Sequence, residues 1–280
     1  MGLRQGLQKS EPLRAVRIPS PSSGTIPAMS IPRAELVTWL DEYLSIANIP
    51  DSSLNGLQFE GAETVTRVAC AVDSTLATIE MAAESGADFL IVHHGWFWKQ
   101  PVALTGPMAR RVKVAATANL NLYASHLPLD VHSDVGNNAQ MAQFLSLKHL
   151  EPFGDDRGLK LGFKGTLPVP MSLQDLADSV QKITGEVCLV HGGGKSMVST
   201  VGIISGGAAG YVGQAAVAGV ECFITGEPSH AHFADSFEYG INVIFCGHYE
   251  SEVFGVKALS IKLEDTFGLP WQFLHLPTGL

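Results

Sequence analysis

Three short segments carry side chains able to hold a cation. Phe89-Leu-Ile-Val-His-His94 ends a hydrophobic run in two adjacent imidazoles, Ser125-His-Leu-Pro-Leu-Asp130 ends another in His126 and Asp130, and Cys246-Gly-His-Tyr-Glu-Ser-Glu252 supplies His248 and Glu252. Imidazole nitrogen and carboxylate oxygen suit Zn, Fe, Mn or Co, and the residue types do not choose among them. His248 and Glu252 stand four apart at a helix start, which puts them on one face. His126 and Asp130 have the same spacing, but Pro128 argues against a regular helix there and leaves Asp130 aimed by an irregular loop. His93 and His94 face opposite sides of a continuing strand, so they share a site only if the chain turns, which Gly95 permits. A single histidine at a strand end is ordinarily a hydrogen-bonded surface residue; several candidates at three such ends weaken that reading. No thiolate belongs to the set. Five or six N/O ligands exceed the needs of one tetrahedral ion, and two cations bridged by Glu252 fit them better; one ion with a spectator histidine is the alternative.

These residues need strands whose carboxyl ends meet. The periodicity predicts a first helix after Ser30-Ile-Pro-Arg, with Leu36, Trp39, Leu40, Tyr43 and Leu44 on its buried stripe. Strands follow at 67–72, 87–92 and 121–124, alternating with helices at 76–84, 108–118 and 137–147. A second set comprises strands at 198–205, 220–224 and 241–246, with helices at 210–218, 230–238 and 248–262. Continuous apolar strands alternating with helices indicate an α/β fold of two similar halves with largely parallel sheets, in which ligands collect at the carboxyl strand ends. Gly86-Ala-Asp-Phe-Leu-Ile91 aligns with Gly219-Val-Glu-Cys-Phe-Ile224, and Asn121 to His126 with Asn242 to His248 after one insertion. Either duplication or shared α/β grammar explains that match. The expected organisation is an extension over 1–29, a first half over 30–150, a strand-helix-strand connecting module over 151–197 and a second half over 198–280.

Other motifs are weaker. Ser205-Gly-Gly-Ala-Ala-Gly210 lies between a strand and a helix and reads as a tight turn, with phosphate binding by its amides as the alternative. It lacks the closing Lys-Ser/Thr of a P-loop. Glu227, His230 and His232 are candidates to face the same cavity. Trp96, Phe97 and Trp98 either wall a pocket for a planar ring or pack in a core. His126 and His132 are candidate catalytic proton shuttles, because histidine titrates near neutrality; Lys99 and Arg110 are candidate phosphate contacts.

The 280 residues are 46% hydrophobic, enough for a substantial core. No apolar run reaches the roughly 20 residues of a membrane helix. A formal charge of −9 argues against non-specific nucleic-acid binding. Cys70, Cys188, Cys222 and Cys246 are widely spaced, without a CxxC pair, and read as reduced thiols of a cytoplasmic protein. The first 29 residues are basic, acid-poor and rich in Pro, Ser and Gly, with no secretory apolar core. They are compatible with a transit peptide and read better as a disordered extension or an over-extended start ahead of Met29.

Asn55-Gly-Leu-Gln58, Gly86 to Trp98, His126 to His132, Gly136-Asn-Asn138, Ile224-Thr-Gly-Glu227 and Gly247-His-Tyr-Glu-Ser-Glu252 occur in this order. In that pattern the chain resembles the NIF-three-like family, also described as GTP cyclohydrolase type 2 homologues, from Met29 to about Leu276. The resemblance implies a dimetal centre between two α/β halves, with His94, Asp130 and Glu252 on one ion and His93, His248 and Glu252 on the other. It also implies a toroidal homohexamer. Many members carry a second histidine where this chain has Tyr249. The resulting expectation is a metal-dependent hydrolase of a nucleotide-like small molecule, using two divalent cations. The rival is a non-catalytic metal-binding ring serving as a regulatory or interaction scaffold.

Overall fold

A computed structural model describes residues 29–280, so all of the expected extension except Met29 lies outside the described residues. The chain runs β1 (Ile31–Pro32), α1 (Arg33–Tyr43), β2 (Gly56–Phe59), β3 (Thr64–Val65), β4 (Val68–Asp73), α2 (Leu76–Glu84), β5 (Phe89–His94), α3 (Gly106–Thr117), β6 (Asn121–Ala124), α4 (Leu127–Asp130) and α5 (Asn137–Phe144). It continues through β7 (Lys148–Asp156), β8 (Leu159–Ser172), α6 (Leu173–Thr184), β9 (Leu189–Gly192), β10 (Met197–Ile203), α7 (Val212–Val217), β11 (Cys222–Thr225), α8 (Asp235–Glu238), β12 (Asn242–Phe245), α9 (His248–Phe267) and β13 (Trp271–Phe273).

Two sheets carry the fold. The first has the order β13-β4-β5-β6-β2, with β13, β4, β5 and β6 parallel and β2 antiparallel at the edge. The second has the order β7-β8-β10-β11-β12-β9, with a parallel centre of β10, β11 and β12. The central strands are buried along nearly their whole length, as expected for sheets covered on both faces.

The expected connecting module over 151–197 is not a separate layer. Its strands β7, β8 and β9 are antiparallel additions to the edges of the second sheet. An open strand edge exposes unpaired N–H and C=O groups, and these strands satisfy them while Leu167, Leu176 and Val180 join the core beneath. The end of the chain also departs from expectation. The 20-residue helix α9 carries it about 30 Å back to the first sheet, where β13 pairs with β4. The helices expected over 210–218 and 230–238 are broken, each opening with a 3₁₀ turn, at Ala209–Tyr211 and His230–His232.

The two halves match in atomic detail. Val68, Phe89 and Asn121 lie side by side across β4, β5 and β6; Val201, Cys222 and Asn242 do so across β10, β11 and β12. Asp88 accepts from the amides of Thr66 and Arg67, and Glu221 from those of Ser199 and Thr200. Asn121 accepts from Gly61 N–H and donates to Ala62, while Asn242 accepts from Gly194 N–H and donates to Lys195. Shared α/β grammar does not demand the same side-chain contacts at the same register, so these pairs favour a duplicated unit.

Helix α9 sits between the copies. Tyr249, Val253 and Phe254 pack with the second sheet, and Val256, Leu259 and Leu263 with the first. Its first turns therefore lie where the strand ends of both halves converge.

Candidate metal centre

The three segments meet there. Glu252, buried in the second turn of α9, places Oε1 3.6 Å from His93 Nε2 and 3.3 Å from His248 Nε2, and Oε2 3.4 Å from His94 Nε2. Asp130 Oδ2 lies 3.5 Å from His93 Nε2. These separations exceed ordinary hydrogen bonds, and both His93 Nε2 and Glu252 Oε2 are buried without a hydrogen-bond partner. Donor atoms that converge without bonding one another fit a cation between them. Glu252 Oε1 faces His93 and His248 while Oε2 faces His94, Asp130 lies against His93, and two sets of donor atoms, those of His93, His94 and His126 and those of His94, His248 and Glu252, each lie within 4.8 Å of one another. Glu252 is the carboxylate on which three of the rings converge.

The outer nitrogen of each inward-facing ring is held. His93 Nδ1 donates to the Ser125 carbonyl (2.9 Å), His94 Nδ1 to Asp73 (2.8 Å), His248 Nδ1 to Glu227 (2.8 Å) and His126 Nδ1 to Asp51 (3.0 Å). Asp130 Oδ1 accepts from Asn137 Nδ2 (2.8 Å) and Ser205 Oγ (3.1 Å), leaving Oδ2 for His93. Such outer hydrogen bonds fix each ring so that Nε2 points inward.

Charge dominates this centre. Burial pushes the His93 imidazole down, but Asp130 and Glu252 outweigh it and bring it up to about 10. His248 is raised to about 9, chiefly by its contact with Glu252, against a smaller effect of burial. Burial raises the Glu252 carboxyl, but His93 and His248 together hold it well below the usual carboxylate range.

Local sequence explains the aim of each group. His93 and His94 both belong to β5, yet their rings are 4.7 Å apart. The alternation of faces ceases to separate them at the strand's end, where both side chains pass beyond the sheet. Asp130 is aimed by the single turn α4, not by an irregular loop. Pro128 falls in the first turn, where its missing N–H has no bond to lose. Gly206 has φ +65°, and a Cβ there would stand 2.3 Å from Glu252 Oε1. Its backbone gives the carboxylate its room.

Of the candidate catalytic residues, His126 is at the site, its ring 5.1 Å from that of His93 and 5.0 Å from that of Trp98. His132 is not. Its Nε2 donates to the Tyr43 carbonyl, its Nδ1 accepts from the amides of Asp134 and Val135, and burial lowers its pKa. With both nitrogens engaged by backbone, it fastens α1 to the loop after α4 and has no free lone pair to shuttle a proton. Glu227 is a partner of His248, whereas His232 pairs with Asp235 and His230 is exposed. Trp96 is buried in the first core, and Trp98 lines the cleft. Lys99 and Arg110 are not among the lining residues of that cleft. The Ser205–Gly210 turn is tied down by Asn138, Ser251 and Thr225. Sequence reasoning does not single out Asp73, Asp51 or Gly206; Asp73 alone carries a usable signal, as a carboxylate ending the strand beside His94.

Residues 31–277 match the family described as Duf34/NIF3 (NGG1p interacting factor 3). The chain belongs to the Duf34/NIF3 family. A Deinococcus radiodurans protein named GTP cyclohydrolase 1 type 2 homolog is 58% identical over 93% of this chain and 99% of its own length. A Pyrococcus abyssi protein of the same name is 42% identical over 89% of this chain and 99% of its own. Among solved structures, TTHA1606 from Thermus thermophilus superposes with a TM-score of 0.82 at 47% identity, covering 89% of this chain and all of that one. The protein ybgI, described as of unknown function, gives 0.83 at 34% identity over 89% of this chain. The Duf34/NIF3 fold thus accounts for both sheets. Among the described residues no helix is long and apolar enough to cross a membrane.

Proposed function

We propose that this Duf34/NIF3 protein is a metal-dependent hydrolase of a nucleotide-like heterocyclic substrate, with two divalent cations held by His93, His94, Asp130, His248 and Glu252. One observation carries the reading. Three candidate ligand imidazoles have their outer nitrogens fixed by a carbonyl or a carboxylate and turn Nε2 toward one buried glutamate whose Oε2 has no hydrogen-bond partner. A pair of divalent cations there would lower the pKa of a water molecule and neutralise charge developing in the transition state. Glu252, with Oε1 toward His93 and His248 and Oε2 toward His94, would serve both cations. His126, with Nδ1 on Asp51, presents Nε2 to the cleft to take or return a proton. The names of the relatives point to GTP cyclohydrolase-like chemistry, opening of a purine-type ring, without assigning a substrate. As part of the same reading, the protein is a cytoplasmic homohexamer with a small-molecule substrate and no nucleic-acid or membrane partner.

The test is metal analysis followed by turnover assays with Zn, Mn and Fe, on wild type and Glu252→Gln. The expected result is about two ions per wild-type chain, turnover of a heterocyclic substrate, and loss of both ions and turnover in the variant with its melting transition retained. A wild-type protein that takes up no cation would overturn the reading. A loaded protein that turns over none of a nucleotide panel would support the scaffold alternative.

A further inference from the structure

The cleft above the centre has a volume of about 470 Å³, within the range of small-molecule sites. His94, Asp130, His248 and Glu252 form its floor, and its walls are mainly apolar, with Leu127, Leu161, Ile204 and Ala208, the aromatic Trp98 and Tyr211, and His126 and Ser205 as the polar members. Trp98 is held in place by its backbone. It forms an antiparallel bridge with Ser53, and Leu54 N–H donates to the neighbouring Phe97 carbonyl at 2.9 Å. Its indole meets the His126 ring edge-on at 5.0 Å and lies 6.2 Å from the His94 ring. With 38% of its surface exposed, the indole keeps an open face toward the cleft.

From these features we infer that the cleft grips a planar heterocycle by stacking on Trp98 and makes no productive contact with a polyphosphate, so a base or nucleoside carries the whole recognition signal. The inference rests on the hydrolase reading, because ring opening requires the ring itself, not a phosphate, to lie on the metal-binding floor. Any phosphates must then run outward along the walls. Among the described residues none that lines the cleft is Lys or Arg. The carboxylates near Tyr211 are already paired, Asp155 with Lys160 at 2.9 Å and Asp156 with Arg157 at 4.0 Å. The whole chain carries a formal charge of −9. A phosphate chain would leave water for a largely aliphatic wall that offers no described Lys or Arg in place of its hydration. A flat neutral ring loses little hydration and gains stacking and apolar contact.

Calorimetric titration of the Mn-loaded protein with guanosine and with GTP, in wild type, Trp98→Ala and Trp98→Phe, decides the matter. Guanosine is expected to bind at least as tightly as GTP. Trp98→Ala should weaken both by about tenfold or more, and Trp98→Phe should recover most of that loss. GTP binding about tenfold tighter than guanosine, unchanged affinity in Trp98→Ala, or no guanosine binding would each overturn the inference. The hydrolase reading fails separately, through lack of bound metal or of turnover. A loaded protein that hydrolyses a heterocycle but is indifferent to Trp98 refutes only the stacking.

Discussion

Replacing Gly206 by alanine tests whether the Glu252 carboxylate is held where a cation needs it. The added Cβ would stand 2.3 Å from Glu252 Oε1 and 3.2 Å from His248 Nε2. The carboxylate would have to retreat by about 1 Å to reach an ordinary contact, whereas metal–ligand bonds tolerate only about 0.2 Å. No soft direction is open, since Glu252 is 3% exposed and bounded by three imidazoles. The backbone adds its own strain, because φ is +65° and an L side chain in the left-handed region costs about 1 kcal/mol. Gly207 is the control: its nearest neighbour to a new Cβ is His248 Cε1 at 3.7 Å, an ordinary contact, and its φ lies outside the left-handed region. We expect Gly206→Ala to lower the melting temperature by about 2–4 °C per kcal/mol. Losing the bridging geometry should weaken cation affinity by at least about 100-fold, roughly 2.7 kcal/mol. Gly207→Ala should match wild type in both. Calorimetry reads the first quantity and chelator competition with elemental analysis the second. If folded Gly206→Ala bound two cations with wild-type affinity, Glu252 could not be the ligand placed here.

Two further predictions use the same centre. Asp73→Asn keeps an acceptor for His94 Nδ1 at 2.8 Å but removes the charge from the hydrogen bond that orients the ring, so cation affinity should fall by about 10- to 100-fold with the fold intact; an unchanged dissociation constant would contradict that role. Before a cation binds, His93 (about 10) and His248 (about 9) both lie above the usual histidine value and carry protons at neutral pH. Because Nε2 must be bare to ligate, loading should release about two protons at neutrality, and affinity should rise by about 100-fold per pH unit up to the approach of the lower value. Titrations in buffers of different ionisation heat measure the release, and a value near zero would show that neither ring competes with the metal.

Much of this arrangement could be read along the chain. Runs such as Phe89–Val92 and the helical stripe of Leu36 and Leu40 report their own burial, and the parallel order of β4, β5 and β6 follows from alternation with helices. The edge strands could not be read in this way. Whether β8 joins β10 or stands apart is settled by which open edge it meets, a non-local choice that no periodicity encodes. The same limit applies to the site. His94 and Glu252 are visible as ligand types, but Asp51 and Gly206 matter only through what they touch, about 75 and 46 residues away in sequence by their partners His126 and Glu252. His132 shows the converse error: a residue type that titrates near neutrality says nothing about whether its lone pairs are already committed to backbone.

The matched halves explain why the centre is asymmetric. Superposing the registers sets Asp73, His93 and His94 against Gly206, Gly226 and Glu227. In the first copy these positions supply two imidazoles and the carboxylate that orients one of them. In the second, the same positions supply clearance. A Cβ on Gly206 would strike Glu252 Oε1 at 2.3 Å, and one on Gly226 would strike His248 Cα and Ser251 Oγ at 2.7 Å. The second glutamate, Glu227, takes the place of His94 and orients His248 at 2.8 Å. One strand end therefore supplies candidate ligands, while its counterpart lets the first turns of α9 come close enough to bring His248 and Glu252 beside them. Two identical halves could not do this: a pair of histidines at Gly226 and Glu227 would occupy the space that His248 and Glu252 require. Divergence at three aligned positions is what turns a pair of facing strand ends into one centre.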